Sequence, residues 1–288
     1  MKGHRRFQSS KTLVNILFLA PALIFFANGV LIPFIQGIPY SFTNWNAVSD
    51  HYDFIGLQNY ITLFTEKQFY TDLKNTLYYT GLTTVFDNLF GLVFALGVYK
   101  ASRRNNVFRT VYFMPFVLSL ILAAYIWKYI FTDIYSPMFN TLSPLATRQG
   151  AIPGIAIMSI WRDSGYCMII FIAALQSIPA DYMEAAMIDG AGPVQRFFRI
   201  TLPLLVPAFS TNVTLLMSWG FKVFEFPMAA TRGGPGDASE MISMYAYNNI
   251  FAYFKAGLGQ AASVVMVVLL AVVTVAVSRL IRSKEVEL

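Results

Sequence analysis

The chain has 288 residues, of which 56% are hydrophobic and only 12% are charged, and its formal net charge is +6. A soluble domain of this length carries about twice that charged fraction, so the composition excludes an ordinary soluble protein. A single cysteine, Cys167, excludes an internal disulfide framework and a cysteine-rich metal site. The histidines are His4 and His51, too few for a histidine-built zinc or haem site.

Long apolar runs recur along the chain, and the hydrocarbon core of a bilayer needs roughly 20 apolar residues per helix. We therefore expect an all-α membrane protein with six transmembrane helices in a single domain, residues 1–288. The predicted spans are residues 12–37, 76–99, 107–131, 152–175, 202–223 and 260–281. The segments expected outside the membrane are then residues 38–75, 132–150 and 224–259.

The first apolar run follows the basic segment MKGHRRFQSSK, as the core of a secretory signal peptide also does. This run continues to Ile35, which is longer than a signal core, so we interpret it as an uncleaved span. With the N-terminus inside, most of the 21 Lys and Arg residues lie on the cytoplasmic side. The positive-inside rule therefore predicts that both termini are cytoplasmic.

Several kinds of catalytic and nucleotide-binding motif are missing from the sequence. There is no GxxxxGK[ST] loop, so we expect no ATP binding to this chain by that route. Neither GxSxG nor HExxH occurs, and we expect no catalytic residue and no metal ion. Asp87 lies inside the second predicted span, where an ionisable group is costly and so functionally suspect. It is interpreted either as a hydrogen-bonding strut between helices or as a proton or ion relay.

Two clusters mix aromatic and polar residues near the outer ends of spans. They are WRDSGY, from Trp161 to Tyr166, and SWGFKVFEF, from Ser218 to Phe226. Aromatic rings stack on the apolar faces of sugars while charged and polar groups bind hydroxyls, so the mixture suits a carbohydrate site. The alternative is an interfacial aromatic belt in which Lys222 and Arg162 extend toward the headgroups.

A polar stretch interrupts the apolar runs between the fourth and fifth predicted spans. Residues 183–188 favour a helix, DGAG at 189–192 breaks it, and Pro193 suits the first turn of a second helix. The pattern predicts a stiff elbow, residues 181–200, whose small residues let another protein approach closely. An ordinary interfacial loop is the alternative.

The last external segment begins with the turn sequence TRGGPG, residues 231–236. Apolar residues between Met241 and Phe254 then recur near helical spacing. This spacing predicts an amphipathic helix that faces a partner or lies on lipid.

The pattern EAAxxDGAGxxxxFxxITLPLLxP, which starts at Glu184, carries a specific resemblance. It closely resembles the signature of permease subunits of binding-protein-dependent ABC importers. TRGGPG, the opening APALIFF, FIGLQNY and FRTVYFMP resemble the carbohydrate-uptake branch, the maltose/multiple-sugar type. The resemblance covers essentially the whole chain.

The resemblance implies roles for two sets of residues. In that family the elbow docks into a groove of the ATPase, and the corresponding coupling residues are Glu184, Ala185, Ala186, Asp189, Gly190, Ala191 and Gly192. Positions that contact sugar in such transporters correspond here to Ser159, Asp163, Tyr166, Trp219, Gly220 and Val223. Asp163 replaces the glycine and Val223 the amide expected of a maltose-type permease, which leaves another oligosaccharide open.

The resemblance also implies partners and a location. We expect a second homologous permease, an ABC ATPase dimer that binds ATP and Mg²⁺, an external sugar-binding protein and the lipid bilayer, but no nucleic acid. No cofactor is expected in this chain, which is not expected to be an enzyme. The expected location is the cytoplasmic membrane of a bacterial or archaeal cell. An ABC permease for glycerol phosphate or another small solute, an ion-coupled secondary transporter and an intramembrane enzyme are the alternatives.

Overall fold

The computed structural model describes residues 16–283, which form helices joined by short connections. Within that range no β-strand forms, and extended pairing is limited to an isolated antiparallel bridge between Thr43 and Phe54. The predicted all-α class is therefore confirmed. Residues 12–15 of the first predicted span lie outside the described residues.

The helices are numbered here in chain order. They are α1 (Ile16–Tyr40), α2 (Gln58–Thr65), α3 (Lys67–Val98), α4 (Arg103–Val117), α5 (Leu120–Phe139), α6 (Ala151–Ser177), α7 (Ala180–Ile188), α8 (Pro193–Leu204), α9 (Val206–Phe221), α10 (Glu225–Ala230), α11 (Ile242–Tyr247) and α12 (Ala256–Arg282). Short π-helical turns occur within α1, α5 and α8, and another follows α11.

Helices α1, α3, α6 and α12 are each long and apolar enough to cross a bilayer alone. Helices α4 and α5 form a pair bent by 98°, and α8 and α9 form a pair bent by 57°. Residues 16–283 therefore supply four spans, or up to six if each bent pair is one broken span. The multi-pass membrane fold is confirmed, while the count of six stays a prediction.

The predicted third span, 107–131, is not one straight helix. Leu118 and Ser119 are extended, with ψ angles of 145° and 146°. Pro115 lacks an N–H and weakens the helix just before this break. The side chain of Ser119 then accepts a hydrogen bond from the backbone N–H of Leu122 at 3.2 Å and starts α5. Because the break interrupts the helical ladder, the carbonyl of Leu118 becomes available to another partner.

The described residues divide into two compact units: residues 16–63 with 248–264, and residues 64–247 with 265–283. In the first unit, the amide of Asn59 donates to the carbonyls of Ser41 and Thr43 at 2.9 and 2.8 Å. The backbone of Gly257 donates to the carbonyl of Trp45 at 2.9 Å. These bonds fix the irregular segment after α1.

In the second unit, α6 packs against α3 and α4, and α9 packs against α3. Glycine permits two of these close approaches. A Cβ at Gly165 would collide with the backbone of Tyr112 on α4, and one at Gly220 would lie 2.6 Å from the Thr80 hydroxyl on α3. Small residues at helix crossings are the usual means of close packing in membranes.

The prediction of a partner- or lipid-facing helix over 241–254 is wrong for its first part. Met241, Met244 and Tyr245 are buried within the second unit. The Tyr245 ring packs on Phe69 at 6.2 Å, and its hydroxyl donates to a Glu66 carboxylate oxygen. Long-range packing against the start of α3 therefore covers the apolar face that the sequence pattern left without a partner.

Candidate functional site

A cavity of about 400 Å³ lies among α3, α6, α9 and the segment after α9 in the second unit. Its walls include Tyr79, Val223 and Phe226 from one apolar cluster of the core and Leu216 from the other. Polar groups lie between these apolar residues. They are Thr83, Asp87, Ser159, Arg162, Asp163, Lys222 and Glu225.

An ion pair fixes one wall of the cavity. The guanidinium of Arg162 contacts Asp163 Oδ1 at 2.5 Å, and the Ser159 hydroxyl donates to Asp163 Oδ2 at 2.9 Å. The Nε of Arg162 donates to the carbonyl of Leu118, at the break between α4 and α5, at 3.2 Å. The guanidinium also lies 4.6 Å from the centre of the Phe116 ring. The expectation that Arg162 extends toward the headgroups is therefore wrong, because its charge is held inside the chain.

Three aromatic rings, here called the aromatic triad, stand beside this ion pair: Phe116, Tyr166 and Trp219. The Phe116 and Tyr166 rings stack with centroids 4.8 Å apart, and Tyr166 and Trp219 lie 5.3 Å apart. Phe116 and Trp219 line the cavity, whereas Tyr166 packs behind them. The triad brings together α4, α6 and α9, which carry its members.

The structure gathers the predicted pathway residues at one place. Ser159, Asp163, Trp219, Gly220 and Val223 all line the cavity, and Tyr166 supports it through the triad. Both aromatic and polar clusters predicted from the sequence therefore meet at the same cavity. Their role in transport stays a prediction.

Sequence reasoning missed Phe116 as a member of the site. It follows Pro115 in an apolar run and carries no distinguishing signal of its own. Its contacts arise only because the close approach of α4 to α6 at Gly165 sets its ring against Tyr166 and Arg162.

Asp87 also lines the cavity, from α3. Its side chain is fully buried, and neither carboxyl oxygen has a hydrogen-bond partner among residues 16–283. The expectation of an interhelical strut is therefore not met. In the same range, no group of three or more His, Cys, Asp and Glu side chains is placed to hold a metal ion.

The elbow has the backbone geometry that its glycines predict. Helix α7 ends at a Schellman motif in which Gly190 adopts a φ of +76°. The N–H of Ala191 bonds the carbonyl of Ala186 at 2.9 Å, and the N–H of Gly190 bonds that of Met187 at 3.1 Å. Pro193 then opens α8, as expected for the first helical position.

Most of the elbow is exposed. Glu184, Ala185, Asp189 and Gly190 are exposed, as are apolar neighbours such as Ile188, whose exposed fraction is 86%. A Cβ added at Gly190 or Gly192 would meet no atom within 4 Å. Ala186 differs, because it is buried within the chain.

An all-α membrane fold with a polar cavity between its helices is the architecture of a transport subunit. The family model for binding-protein-dependent transport system inner membrane components matches residues 87–285, and the chain belongs to this family. It is therefore a permease subunit of an ABC importer, as the elbow motif implied. This membership excludes the secondary transporter and intramembrane enzyme among the alternatives.

Individual relatives agree with this assignment. The chain is 34% identical over 278 residues to the probable starch degradation products transport system permease protein AmyD of Thermoanaerobacterium thermosulfurigenes, covering 94% of this chain and 95% of the relative. It is 32% identical to the sn-glycerol-3-phosphate transport system permease protein UgpA of Escherichia coli, covering 93% and 94%. Its fold matches a chain of a bacterial ABC transporter involved in the import of the acidic polysaccharide alginate, with a TM-score of 0.80, 22% identity and coverage of 97% and 99%.

Proposed function

We propose that this chain forms one half of the translocation pathway of an ATP-driven importer for a neutral oligosaccharide. A second homologous permease forms the other half, and an external binding protein delivers the sugar. The observation that carries the proposal is the cavity that joins the aromatic triad to hydroxyl and carboxyl groups. The name of AmyD, a permease for starch degradation products, supports the same class of cargo.

The aromatic triad supplies the apolar part of a sugar site. A pyranose ring has an apolar face of C–H groups, and an indole offers a flat apolar surface of similar size. Trp219 lines the cavity while Tyr166 and Phe116 pack against it and hold its ring in place. The polar wall around Ser159 and Asp163 supplies acceptors for hydroxyl groups.

The charges around the cavity favour a neutral cargo over an anionic one. The carboxyl groups of Asp87, Asp163 and Glu225 line it together with the cations Arg162 and Lys222. Arg162 is already bound to Asp163, so it is a poor partner for a phosphate. A phosphorylated solute would meet more unpaired carboxyl than cationic groups, which is repulsive. The glycerol phosphate alternative, which the name of UgpA keeps in view, is thereby disfavoured.

The elbow is proposed as the contact with the ATPase dimer, which holds ATP and Mg²⁺. Its exposed apolar side chains and open glycines give a partner backbone a close approach. Closure of the ATPase dimer would move the elbow, and α6 and α9 would transmit the movement to the cavity. We place the chain in the cytoplasmic membrane, with the elbow and both termini on the cytoplasmic side.

The proposal is tested by ATP-dependent uptake into vesicles that contain the complete importer. Neutral oligosaccharides and glycerol phosphate are offered as radiolabelled cargoes. We expect uptake of a neutral sugar, a drop of about tenfold or more for Trp219→Ala, and near-normal uptake for Trp219→Phe, which keeps an aromatic surface. Uptake of glycerol phosphate without any neutral sugar would overturn the sugar assignment.

A second variant tests the elbow in the same assay. Gly190→Asp is expected to abolish uptake while the permease pair still assembles, because Gly190 has a positive φ and an open surface. Normal transport by this variant would show that the elbow is only a loop.

A further inference from the structure

Asp87 differs from every other carboxyl group of the cavity wall in its lack of a partner and its burial. Its exposed fraction is 0%, and both carboxyl oxygens lack a hydrogen-bond partner among residues 16–283. Asp163, in the same wall, has both oxygens engaged, by Arg162 and by Ser159. Glu225, also in the wall, is exposed to solvent.

A buried carboxyl group without a partner is costly in either protonation state, because water has been removed and nothing replaces it. Such groups in native proteins usually acquire a partner in a working state. Unused polar groups in membrane spans are accordingly candidates for contact with the transported solute.

The neighbouring donors of the cavity wall are engaged elsewhere. The Thr83 hydroxyl, one turn before Asp87 on α3, donates to the carbonyl of Tyr79 at 3.1 Å. The guanidinium of Arg162 is bound to Asp163 and to the carbonyl of Leu118. The missing partner of Asp87 is therefore best supplied by the content of the cavity.

We propose that Asp87 is a specificity-determining residue that binds hydroxyl groups of the sugar. This inference rests on the proposed sugar transport function. A carboxyl group has two oxygens that can accept hydrogen bonds from neighbouring hydroxyl groups of one pyranose ring. With Trp219 against the apolar face of the ring, Asp87 reads which hydroxyl groups stand at its edge.

Contact requires a small change in the cavity wall, since Asp87 has no exposed surface in this state. A side-chain rotation, or a slight separation of α3 from α9, provides it, and an importer moves these helices during each cycle. The same carboxyl group rejects cargo that lacks the matching hydroxyl, because it then stays buried and unpaired.

The test combines changes in the protein with changes in the sugar. Uptake by the complete importer is measured for wild type and Asp87→Ala, with the transported oligosaccharide and with its analogues that each lack one hydroxyl group. We expect Asp87→Ala to reduce uptake of the parent sugar about 10- to 100-fold. For the analogue that lacks the recognised hydroxyl, wild type and variant should agree to within about twofold. Because both proteins use the same binding protein, its own preference cancels in the comparison.

Asp72→Asn is the matched control. Asp72 is also a fully buried carboxyl group of α3 with one unpartnered oxygen, but it lies outside the cavity wall. Its other oxygen accepts from Gln68 at 2.8 Å, a bond that an asparagine oxygen can keep. We expect this variant to change uptake of all analogues by the same factor.

Each outcome decides the inference. An equal loss for every analogue in Asp87→Ala shows a structural role and overturns it, as does an unchanged uptake of the parent sugar. If Asp87→Ala does not assemble, Asp87→Asn carries the test, since its shape is the same and it can accept through one oxygen only. A wild-type importer that takes up no sugar at all refutes the proposed function instead.

Discussion

The cavity and the elbow differ in how far the chain itself completes them. In the cavity wall, Asp163 has both oxygens engaged by neighbouring side chains, and the triad rings pack on one another. In the elbow, Ile188 has 86% of its side chain exposed and the glycines face open space. The cavity is thus organised before any cargo arrives, whereas the elbow presents a surface that only a partner can cover.

This difference follows from where hydrogen bonds and packing are available. Charges inside a membrane must be paired within the protein, so Arg162 and Asp163 are held together by the helices that carry them. The elbow forms its bonds locally, through the Schellman motif, and needs no support from distant residues. Changes in the elbow should therefore damage assembly, and changes in the cavity should damage the chain itself.

The largest expected effect comes from Ala185→Trp in the elbow. Ala185 is exposed, so an indole there lies in solvent in the isolated permease but collides with a closely approaching partner. We expect uptake to fall on the order of 1,000-fold, with loss of the ATPase on copurification. Thermal unfolding of the permease should move by less than about 2 °C.

Leu142→Trp is the control for this variant, because Leu142 has an exposed fraction of 71% and lies outside the elbow. Its uptake should stay normal. Wild-type uptake and copurification by Ala185→Trp would remove the elbow from the partner interface and erase the contrast drawn above.

A smaller but still large effect is expected in the cavity from Arg162→Met. This change leaves Asp163 buried without its cation, which destabilises a protein by about 3 kcal/mol. Thermal unfolding of the purified complex in detergent measures the loss. The double variant Arg162→Met with Asp163→Leu removes both charges and should recover most of the stability. A double variant as unstable as the single one would show that the wall depends on these charges for more than mutual pairing.

Much of the fold could be predicted from the sequence because lipid demands long apolar helices. Helices α6 and α12 begin and end close to the predicted spans, since their boundaries coincide with changes in polarity. Helix α3 starts at Lys67, well before the predicted residue 76, because Asn75 donates to the carbonyl of Glu240 at 3.0 Å and Thr76 accepts from the N–H of Ile242 at 3.1 Å. Partners so distant in sequence leave no local signal.

The bends of the broken spans were also beyond sequence reasoning. The apolar run continues through Leu118 and through Leu205, so hydropathy shows no interruption. Prolines near both places weaken the helix, but proline alone does not fix where a helix turns. The first bend matters for the site, because it presents the carbonyl of Leu118 to Arg162.

The candidate site was predicted in part for the same reason. The elbow geometry depends on neighbours in sequence, so DGAG and Pro193 were enough to predict it. In the cavity, Ser159, Asp163 and Trp219 were reached through family resemblance, which already contains tertiary information. Phe116 and the unpartnered state of Asp87 depend on how α3, α4 and α6 pack together, and no single stretch of sequence encodes that arrangement.

The smallest expected effect concerns the conformation of the elbow itself, tested by Gly190→Ala. An alanine at a φ of +76° is strained by about 1 kcal/mol, although nothing within 4 Å opposes its Cβ. Gly192→Ala is the matched control, because Gly192 has an ordinary φ of −68° and equally open space. Thermal unfolding should therefore shift by about 2 °C for position 190 and by less for position 192.

The two alanine variants separate backbone strain from partner contact. If uptake falls only for Gly190→Ala, the left-handed turn is what the elbow contributes. If uptake falls equally for Gly192→Ala while its stability is unchanged, the missing side chain itself is needed, because a partner backbone occupies the space that a methyl group would fill. Equal stability losses at the two positions would contradict the role assigned to the φ of Gly190, and the elbow would then owe its shape to α7 and α8 alone.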